Sequence, residues 1–303
     1  MNLTKIDWLG FRSKAEISQV VDSLKGCFGD FSESFRVVPR RSGWMGYRSS
    51  ANLCLADMVV GLMAYGGESQ RGNVTVNITG KGCDWMRDWC QVQDSISGLS
   101  NFEVRRLDIA LDTFKREVTH DKVVQAHRDG LFNLTGRPPQ MTRIEPEDPT
   151  EGSTVYVGNR KNFKFLRGYQ KGYELARNNP LIQDFYNGVP LADIYRLELE
   201  LKPKLDPLPA DLIDKRDHYF AGAYPYLQSV IDVKPETFLR SREKVIQDDL
   251  DAMLANIRQQ YGSSLFTAMV AYGGDVGAVW DKIVGNKHNQ NLVSAGVLLV
   301  NHD

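Results

Sequence analysis

The chain has 303 residues, of which 42% are hydrophobic and 25% are charged, close to the average for soluble globular proteins. Lys and Arg total 37 against 38 Asp and Glu, and the formal net charge of −1 excludes a uniformly basic nucleic-acid coat but allows a local basic groove. The longest apolar stretches fall short of the ~20 residues that span a bilayer, and the first residues lack the apolar core of a signal peptide, so we expect a soluble, cytoplasmic protein.

Strands and helices alternate along the first half of the sequence. Ser13 to Glu16 has the capping-box pattern and Gly26 follows an amphipathic run, so a helix is predicted between them. Strictly alternating β-branched residues predict a strand over 73–79. The other elements predicted in this half are a helix over 84–96, a strand over 104–112 and a helix over 119–128.

The second half of the sequence changes from strands to helices. A long loop is predicted over 134–153, followed by strands over 154–157, 163–171 and 195–202, a proline-rich linker over 203–209, and helices over 212–218, 235–261 and 276–284. The turn between the first two of these strands is too tight for a parallel crossover. We therefore predict an α+β fold, with an antiparallel-sheet domain over residues 1–205 and a mainly helical region over 206–303.

The strand over 195–202 alternates leucines with charged residues. Leu197, Leu199 and Leu201 are expected to point into a core, while Glu198 and Glu200 point together to the other face. Two carboxylates two positions apart on a rigid strand can bind a hard divalent cation. An ordinary sheet with one solvated face explains the same pattern.

The strand over 104–112 places Asp108 and Asp112 on the face opposite its apolar residues. Asp is disfavoured inside strands, so two on one face indicate a metal or a basic partner. If the two acidic strands are neighbours, their four carboxylates repel one another unless a cation neutralises them. The alternative neutraliser is the set of nearby arginines, Arg105, Arg106 and Arg196. No HxH or HExxH pair occurs, so a histidine metal site is not predicted.

Residues 151–177 are basic, with six Lys or Arg against two acids. On an extended chain Arg167, Tyr169 and Lys171 share a face, which favours the phenolate and a bound phosphate. A tyrosine packed on a sheet beside solvated lysines is the alternative. The residues expected to make phosphate contacts are Arg160, Lys161 and Lys164.

A second basic and aromatic cluster lies over 40–48. Its candidate DNA-binding residues are Arg40, Arg41, Trp44 and Arg48. Cations for phosphates and aromatic faces for unstacked bases suit single-stranded DNA. A hairpin with aromatic residues in its core explains the cluster equally well.

These elements, in this order and spacing, resemble the Rep_trans-type replication initiation proteins of filamentous phages and rolling-circle plasmids. The likeness rests on RLDIALD at 106–112, YVGNRK at 156–161 leading to RGYQKGYE at 167–174, and YRLELE at 195–200. Segments at 7–9, 76–83 and 219–225 also resemble the filamentous-phage branch. The likeness covers about residues 5–230.

The resemblance implies a site-specific endonuclease that nicks and rejoins DNA through a covalent 5′-phosphotyrosyl intermediate. It implies a fold like that of the HUH nucleases, with Glu198-Leu199-Glu200 in place of their histidine pair. Tyr169 is then the nucleophile, although Tyr173 lies four residues further on and stays an alternative. The implied helpers of the nucleophile are Arg167 and Lys171, and the implied ligands of Mg²⁺ or Mn²⁺ are Asp108, Glu198, Glu200 and Asp112.

The resemblance also implies partners. These are origin DNA, as a single strand or a supercoiled duplex, and the helicase and polymerase of a bacterial host cell. Two other functions fit the residues. A non-enzymatic origin-binding or regulatory protein needs only the basic clusters, and a metal-dependent nuclease that uses water needs the carboxylates but no covalent step.

Overall fold

The computed structural model describes residues 3–134, 137–203, 207–237, 242–289 and 293, and within these ranges it contains twelve strands and nine helices. The strands are β1 (Lys5–Ser13), β2 (Phe35–Pro39), β3 (Ser49–Leu55), β4 (Met58–Tyr65), β5 (Val74–Ile78), β6 (Glu103–Thr113), β7 (Met141–Ile144), β8 (Thr154–Val157), β9 (Lys164–Tyr169), β10 (Phe185–Tyr186), β11 (Val189–Pro190) and β12 (Tyr195–Leu201). The helices are α1 (Ile17–Cys27), α2 (Gly80–Cys83), α3 (Trp89–Ser97), α4 (His120–Arg128), α5 (Lys171–Asn178), α6 (Arg216–Ala223), α7 (Pro225–Val230), α8 (Arg242–Ala271) and α9 (Val276–Ile283).

Ten of these strands form one sheet in the order β2-β3-β4-β5-β1-β6-β12-β9-β8-β7. Every pair of neighbours is antiparallel, which confirms the predicted α+β fold. The first strand in the sequence, β1, is central because it pairs with both β5 and β6. None of the described helices is long and apolar enough to cross a membrane.

The strands at the centre of the sheet have one apolar face and one charged face. Leu107, Ile109, Leu197 and Leu199 are fully buried on the apolar face. Helices α4, α6 and α7 pack on this side, where Asp121 of α4 and Tyr226 of α7 both lie near Tyr195. We call the opposite face the open face, and it carries the acidic residues of β6 and β12.

The chain divides into two compact units, Met1–Thr237 and Phe238–Asp303. The first unit extends beyond the boundary expected after residue 205, because α6 and α7 belong to it. Asp217 of α6 accepts hydrogen bonds from the backbone N–H groups of Leu3 and Thr4 at 2.8 and 2.9 Å. The proline-rich segment is also part of this unit: buried Leu208 pairs with Val104, whereas residues 204–206 lie outside the described residues.

Several predicted helix boundaries differ in the structure. The helix expected over 84–96 begins at Trp89, since Asp88 accepts hydrogen bonds from the N–H groups of Cys90 and Gln91. The capping box of α1 joins Glu16 to Gln19. Its predicted first residue, Ser13, instead donates its hydroxyl to the carbonyl of Ser100.

The helices after the sheet are also shifted. The one expected over 212–218 is α6, which begins at Arg216. The one expected over 235–261 is α8, which begins at Arg242, and residues 238–241 lie outside the described residues. In the second unit, α8 and α9 confirm the helical C-terminal region.

The strands that the sequence analysis did not assign lie mostly in the first half of the sheet. They are β1, β2, β3, β4 and the short edge strand β7, which lies within the predicted loop over 134–153. The separate two-stranded hairpin of β10 and β11 was not assigned either. The strand expected over 163–171 ends at Tyr169, and α5 begins at Lys171. Lys171 is therefore a helical residue, and the prediction that it extends the strand face of Tyr169 was wrong.

Candidate active site

The candidate site is built on β12, which lies between β6 and β9. The two acidic strands are thus neighbours, and strand alternation brings their charged residues to the open face. Each open-face residue of β12 lies between one residue of β6 and one of β9. Arg196 lies between Asp112 and Tyr169, Glu198 between Ala110 and Arg167, and Glu200 between Asp108 and Phe165. The structure therefore places all four predicted carboxylates and the predicted nucleophile on one face of three neighbouring strands.

Arg106 joins two of the buried carboxylates. Its guanidinium donates to both oxygens of Asp108, at 2.9 Å from Nε and 2.6 Å from Nη2. Nη2 also lies 3.1 Å from Glu200 Oε2, and the guanidinium carbon lies 4.3 Å from the centre of the Trp8 ring. Arg106 thus bridges β6 and β12 while stacking on β1.

The two glutamates of β12 have further cationic partners. Lys202 Nζ lies 2.5 Å from Glu200 Oε1, and Arg160 Nε lies 3.8 Å from Glu200 Oε2. Arg167 of β9 donates to Glu198 Oε2 at 2.6 Å. Each glutamate is therefore paired with a cation whose own side chain reaches solvent.

Asp112 belongs to a different group of contacts. It accepts two hydrogen bonds from Arg196, at 2.5 and 2.8 Å, and lies 3.4 Å from Lys5 Nζ. Arg196 also donates to Asp7 at 3.1 Å. Burial raises the pKa of Asp112, but the hydrogen bonds and charges of Arg196 and Lys5 outweigh it and leave that pKa below its usual value.

Cationic side chains thus pair with each of these carboxylates. Of the three arginines expected to do so, Arg106 and Arg196 take part, whereas Arg105 lies 3.8 Å from Glu103.

Within the described parts of the chain, no group of three or more His, Cys, Asp or Glu side chains is arranged to hold a metal ion. The chemistry of Asp108, Glu198 and Glu200 fits a hard divalent cation, since all three offer carboxylate oxygens. The predicted metal site stays a prediction.

The environment of Asp108 is unfavourable for a negative charge. Burial raises the pKa of Asp108 to about 7, and the charges of Glu198 and Glu200 act in the same direction against the lowering effect of Arg106. A cation that entered this group would favour the ionised form of Asp108. The carboxylates are therefore chemically suited to a further positive charge.

Tyr169 is the last residue of β9 and is largely buried. The guanidinium carbon of Arg167 lies 4.8 Å and Lys171 Nζ lies 5.8 Å from the centre of its ring. Burial nevertheless raises the pKa of Tyr169 well above its usual value, although the charges of Arg196 and Arg167 lower it. Arg167 thus favours the phenolate, as expected, but desolvation is the larger effect and the pKa rises overall.

Glu174 is a site residue that sequence reasoning missed. Its carboxylate accepts a hydrogen bond from Lys171 Nζ at 3.0 Å and lies close enough to Tyr169 for its charge to raise the pKa of that phenol. Burial raises the pKa of Glu174, but these contacts and the charge of Arg196 outweigh it and lower the pKa overall. The signal that could have located it was the three-residue spacing from Lys171, which requires a helix rather than a strand.

Tyr173 lies apart from this group on α5. It lines a separate open cavity of about 470 Å³ together with Thr150 and Arg177. Its ring also packs beside the backbone of Gly152. The structure thus brings Tyr169, and not Tyr173, to the ion pairs of the open face.

The three predicted phosphate-binding residues do not share one face. Arg160 and Lys161 are exposed in the turn between β8 and β9. Lys164 pairs with Leu201 on the apolar face, where its Nζ donates to the carbonyl of Ala223 at 2.9 Å and lies over the Tyr224 ring. Burial lowers the pKa of Lys164 to about 8. Lys164 is thus separated from the other two.

The second basic cluster forms the loop between β2 and β3. Its three cations, Arg40, Arg41 and Arg48, are exposed and make no ion pair with any described residue, while Trp44 is half-buried. The pairing of β1 with β5 and β6 puts this loop and the turn between β8 and β9 at the same end of the strands. Tyr169 lies at the other end of β9.

Comparison with known proteins places this arrangement in a family. A family model described as replication initiation factor matches residues 102–272, more than half of the chain and nearly the whole candidate site. Among solved structures, the chain is similar in fold to the rolling circle replication initiator protein from Geobacillus stearothermophilus, with a TM-score of 0.54 and 20% identity over 72% of this chain and 83% of that chain. No curated protein matches the chain. The chain therefore belongs to the replication initiation factor family.

Proposed function

We propose that this chain starts rolling-circle replication by nicking one DNA strand at an origin and holding the cut end through Tyr169. The observation that carries the proposal is the position of Tyr169, at the end of a strand whose open face holds Arg167 beside the carboxylates of β12. A hydroxyl group beside fixed positive charge is suited to attack a phosphodiester. Family membership supports the same role.

In the proposed reaction, the Tyr169 oxygen attacks the scissile phosphorus. The P–O3′ bond breaks, which leaves a 5′-phosphotyrosyl bond and a free 3′-OH that can prime a polymerase. Arg167 and Lys171, both near the ring, offset the negative charge that develops on the phosphate. The ester bond keeps the energy of the broken bond, so rejoining needs no ATP.

Asp108, Glu198 and Glu200 are the residues that would hold a Mg²⁺ or Mn²⁺ ion. When bound, such an ion would withdraw charge from the scissile phosphate. The cations now paired with these carboxylates, Arg106 and Arg167, have partly exposed side chains. Asp112 is the weakest candidate ligand, because Arg196 already takes both of its oxygens.

The two basic loops are the proposed DNA contacts. Origin DNA would be held at its phosphates by Arg160, Lys161 and the arginines of the β2–β3 loop, and an unstacked base would lie on Trp44. Host helicase and polymerase would then act on the nicked strand. These contacts position DNA but do not define the origin sequence.

The decisive experiment traps the covalent adduct. Wild type is incubated with Mg²⁺ and a single-stranded oligonucleotide carrying the nick site, and the adduct is detected as a protein of increased mass. Tyr169→Phe should form no adduct, because it lacks the attacking oxygen but keeps the ring. Tyr173→Phe is the matched control and should still form one.

The other results decide between the alternatives. An adduct with Tyr169→Phe but not with Tyr173→Phe would make Tyr173 the nucleophile. Cleavage without any adduct would make water the attacking group. Binding of the origin with neither cleavage nor adduct would leave an origin-binding protein that is not an enzyme. Metal binding is measured by calorimetry in the Glu198→Gln/Glu200→Gln double variant. Binding equal to that of wild type would show that the glutamates of β12 are not metal ligands.

A further inference from the structure

We propose that the open cavity beside α5 holds one unstacked base of the origin strand next to the nick, and that Tyr173 stacks on this base. The proposal rests on the proposed function, because it needs the DNA strand to reach Tyr169. The observation behind it is the cavity itself, of about 470 Å³, whose lining includes Tyr173, Arg177 and Leu191. It gives Tyr173 a role other than attack on phosphorus.

The cavity has the size and the lining of a site for one planar group. Its volume lies within the range of roughly 300–1,000 Å³ that is usual for small-ligand sites. The Tyr173 ring and apolar residues such as Ala176 and Leu191 offer surface for stacking, while Gln183 and Asp184 add groups that form hydrogen bonds. Proteins that bind an extruded base use this combination, with aromatic and apolar surfaces for the faces of the base and polar groups for its edge.

The cavity lies at the end of β9 that carries Tyr169. Helix α5 begins at Lys171, directly after this end, and Tyr173 lies in its first turn. Tyr173 and Arg177 are four residues apart and therefore share one side of the helix. A strand whose scissile phosphate reaches Tyr169 can thus place a neighbouring base on Tyr173 and a further phosphate at the exposed Arg177.

Close contacts hold the walls of the cavity in place. Gly172 packs so tightly on Leu191 that a Cβ at this position would overlap the Leu191 backbone. The Leu191 N–H donates to the carbonyl of Asp184 at 3.0 Å, which joins the β10–β11 hairpin to the same segment. Gly152 has a φ of +77°, and a Cβ there would lie 3.3 Å from the Tyr173 ring. The ring is therefore held before DNA arrives, which lowers the entropic cost of stacking.

Exposed apolar residues beside the cavity favour a DNA strand over a free small molecule as its occupant. Leu181 and Phe185 flank the lining residues Gln183 and Asp184 in sequence, and they are 90% and 60% exposed. Such residues extend the stacking surface beyond the cavity, which suits a strand that carries several bases. A free ligand would need the cavity alone.

The test measures binding, so it does not depend on nicking. Every protein carries Tyr169→Phe, and the probes are single-stranded oligonucleotides that span the nick site, intact or with one base beside the nick removed. One abasic position should weaken binding by roughly 5- to 150-fold, as expected for the loss of one stacked base. Adding Tyr173→Ala should weaken binding of the intact probe by a similar factor, and should not weaken binding of that abasic probe further.

Three further variants separate stacking from other effects. Tyr173→Phe keeps the ring and should again lose affinity at that abasic position. Arg177→Ala should weaken binding of the intact and abasic probes alike and flatten the salt dependence by about one unit of slope. Tyr186→Ala lies on the hairpin but outside the lining, and it should bind every probe as the parent protein does.

The outcomes separate the base site from the nicking activity. If no abasic position weakens binding of the parent protein, or if Tyr173→Ala changes binding of every probe by the same factor, the base site is contradicted. A base site that passes this test while wild type forms no adduct would overturn the nicking alone. Adduct formation without a base dependence would overturn the base site alone, and a protein that binds none of the probes would overturn both.

Discussion

Two groups of ion pairs on the open face of β6 and β12 are built in opposite ways. Around Arg196 the cation is buried, with 3% of its side chain exposed, while its partners Asp112 and Asp7 are 20% and 23% exposed. Around Arg106 and Arg167 the acids are buried and the arginines reach solvent, at 28% and 31% exposure.

The difference matters because a buried acid can become neutral near pH 7, whereas a buried arginine cannot. A buried guanidinium cannot lose its proton near neutral pH, so it depends on its acids. A buried carboxylate can take up a proton when its arginine is removed or moves away. The first group therefore holds β1, β6 and β12 together, while the second can exchange its partners.

Removing the acid from the first group should cost the most stability. Asp112→Ala removes two hydrogen bonds from the buried Arg196 and leaves its hydrogen bond to Asp7, and the free energy of unfolding should fall by about 3–5 kcal/mol. Urea unfolding at pH 7 measures this loss. The control is Glu103→Ala on the same strand, which removes ion pairs with Arg12 and Arg105, two cations more exposed than Arg196, and should cost about 1 kcal/mol or less. Equal losses would contradict the structural role of Arg196.

Removing the cation from the second group should cost less, and the loss should depend on pH. Arg106→Gln leaves Asp108 and Glu200 without their shared partner, at an expected cost of about 1–3 kcal/mol at pH 8 in buffer free of divalent ions. The loss should largely disappear at pH 5, because the freed carboxyl groups become protonated. A loss of the same size at both pH values would show that these acids cannot exchange a partner for a proton.

Wild type itself should show opposite pH effects from the two groups. The folded-state pKa of Asp108 is about 7, above its unfolded value, so its contribution to stability is full below the unfolded pKa and is lost as pH rises toward 7. The pKa of Asp112 is lowered, so its contribution is present above the unfolded pKa and is lost as pH falls through the folded one.

The direction of the Asp108 effect is tested by measuring the free energy of unfolding against pH in buffer free of divalent ions. Between pH 5 and 7 it should fall by up to about 1.4 kcal/mol per pH unit through Asp108, and Asp108→Asn should remove that part of the slope. Asp112→Asn should leave the slope in this range unchanged. An Asp108→Asn variant with the wild-type slope would mean that another group titrates there.

The smallest effects concern two cations that lie on different faces of the sheet, Arg160 on the open face and Lys164 on the apolar face. Arg160→Ala should flatten the salt dependence of DNA binding by about one unit of slope, as expected for one lost phosphate contact. Lys164→Ala should leave that slope unchanged, because Lys164 donates to Ala223 on the helix-covered face. Filter binding over a salt series measures both variants. A flatter slope for Lys164→Ala would show that DNA also contacts the apolar side of the sheet.

The sequence predicted those parts of the site that depend on strand periodicity. Alternation in β6 and β12 was enough to assign Asp108, Glu198 and Glu200 to one face. The same period separates Lys164 from Arg167, since an odd spacing changes the face, and it places Lys164 on the apolar side.

Other features depended on contacts between distant segments. The switch from β9 to α5 after Gln170 determines where Glu174 lies, and no residue at that point forbids a longer strand. The first unit extends to Thr237. One contact that joins its end to its beginning is made by Asp217, which accepts hydrogen bonds from the backbone of Leu3 and Thr4, more than 200 residues away in sequence. Such pairings are decided by packing and have no local signature.

The place of β12 in the sheet has a consequence for the order in which the protein is made. Asp108 on β6 and Tyr169 on β9 are both synthesised before β12, yet β12 is the strand that joins them. A growing chain that ends before residue 195 therefore carries the nucleophile and the acids on separate pieces of sheet. Closing the sheet requires pairing over more than 80 residues, which is slow compared with local helix formation. Translation thus delays assembly of the site until the first unit is nearly complete.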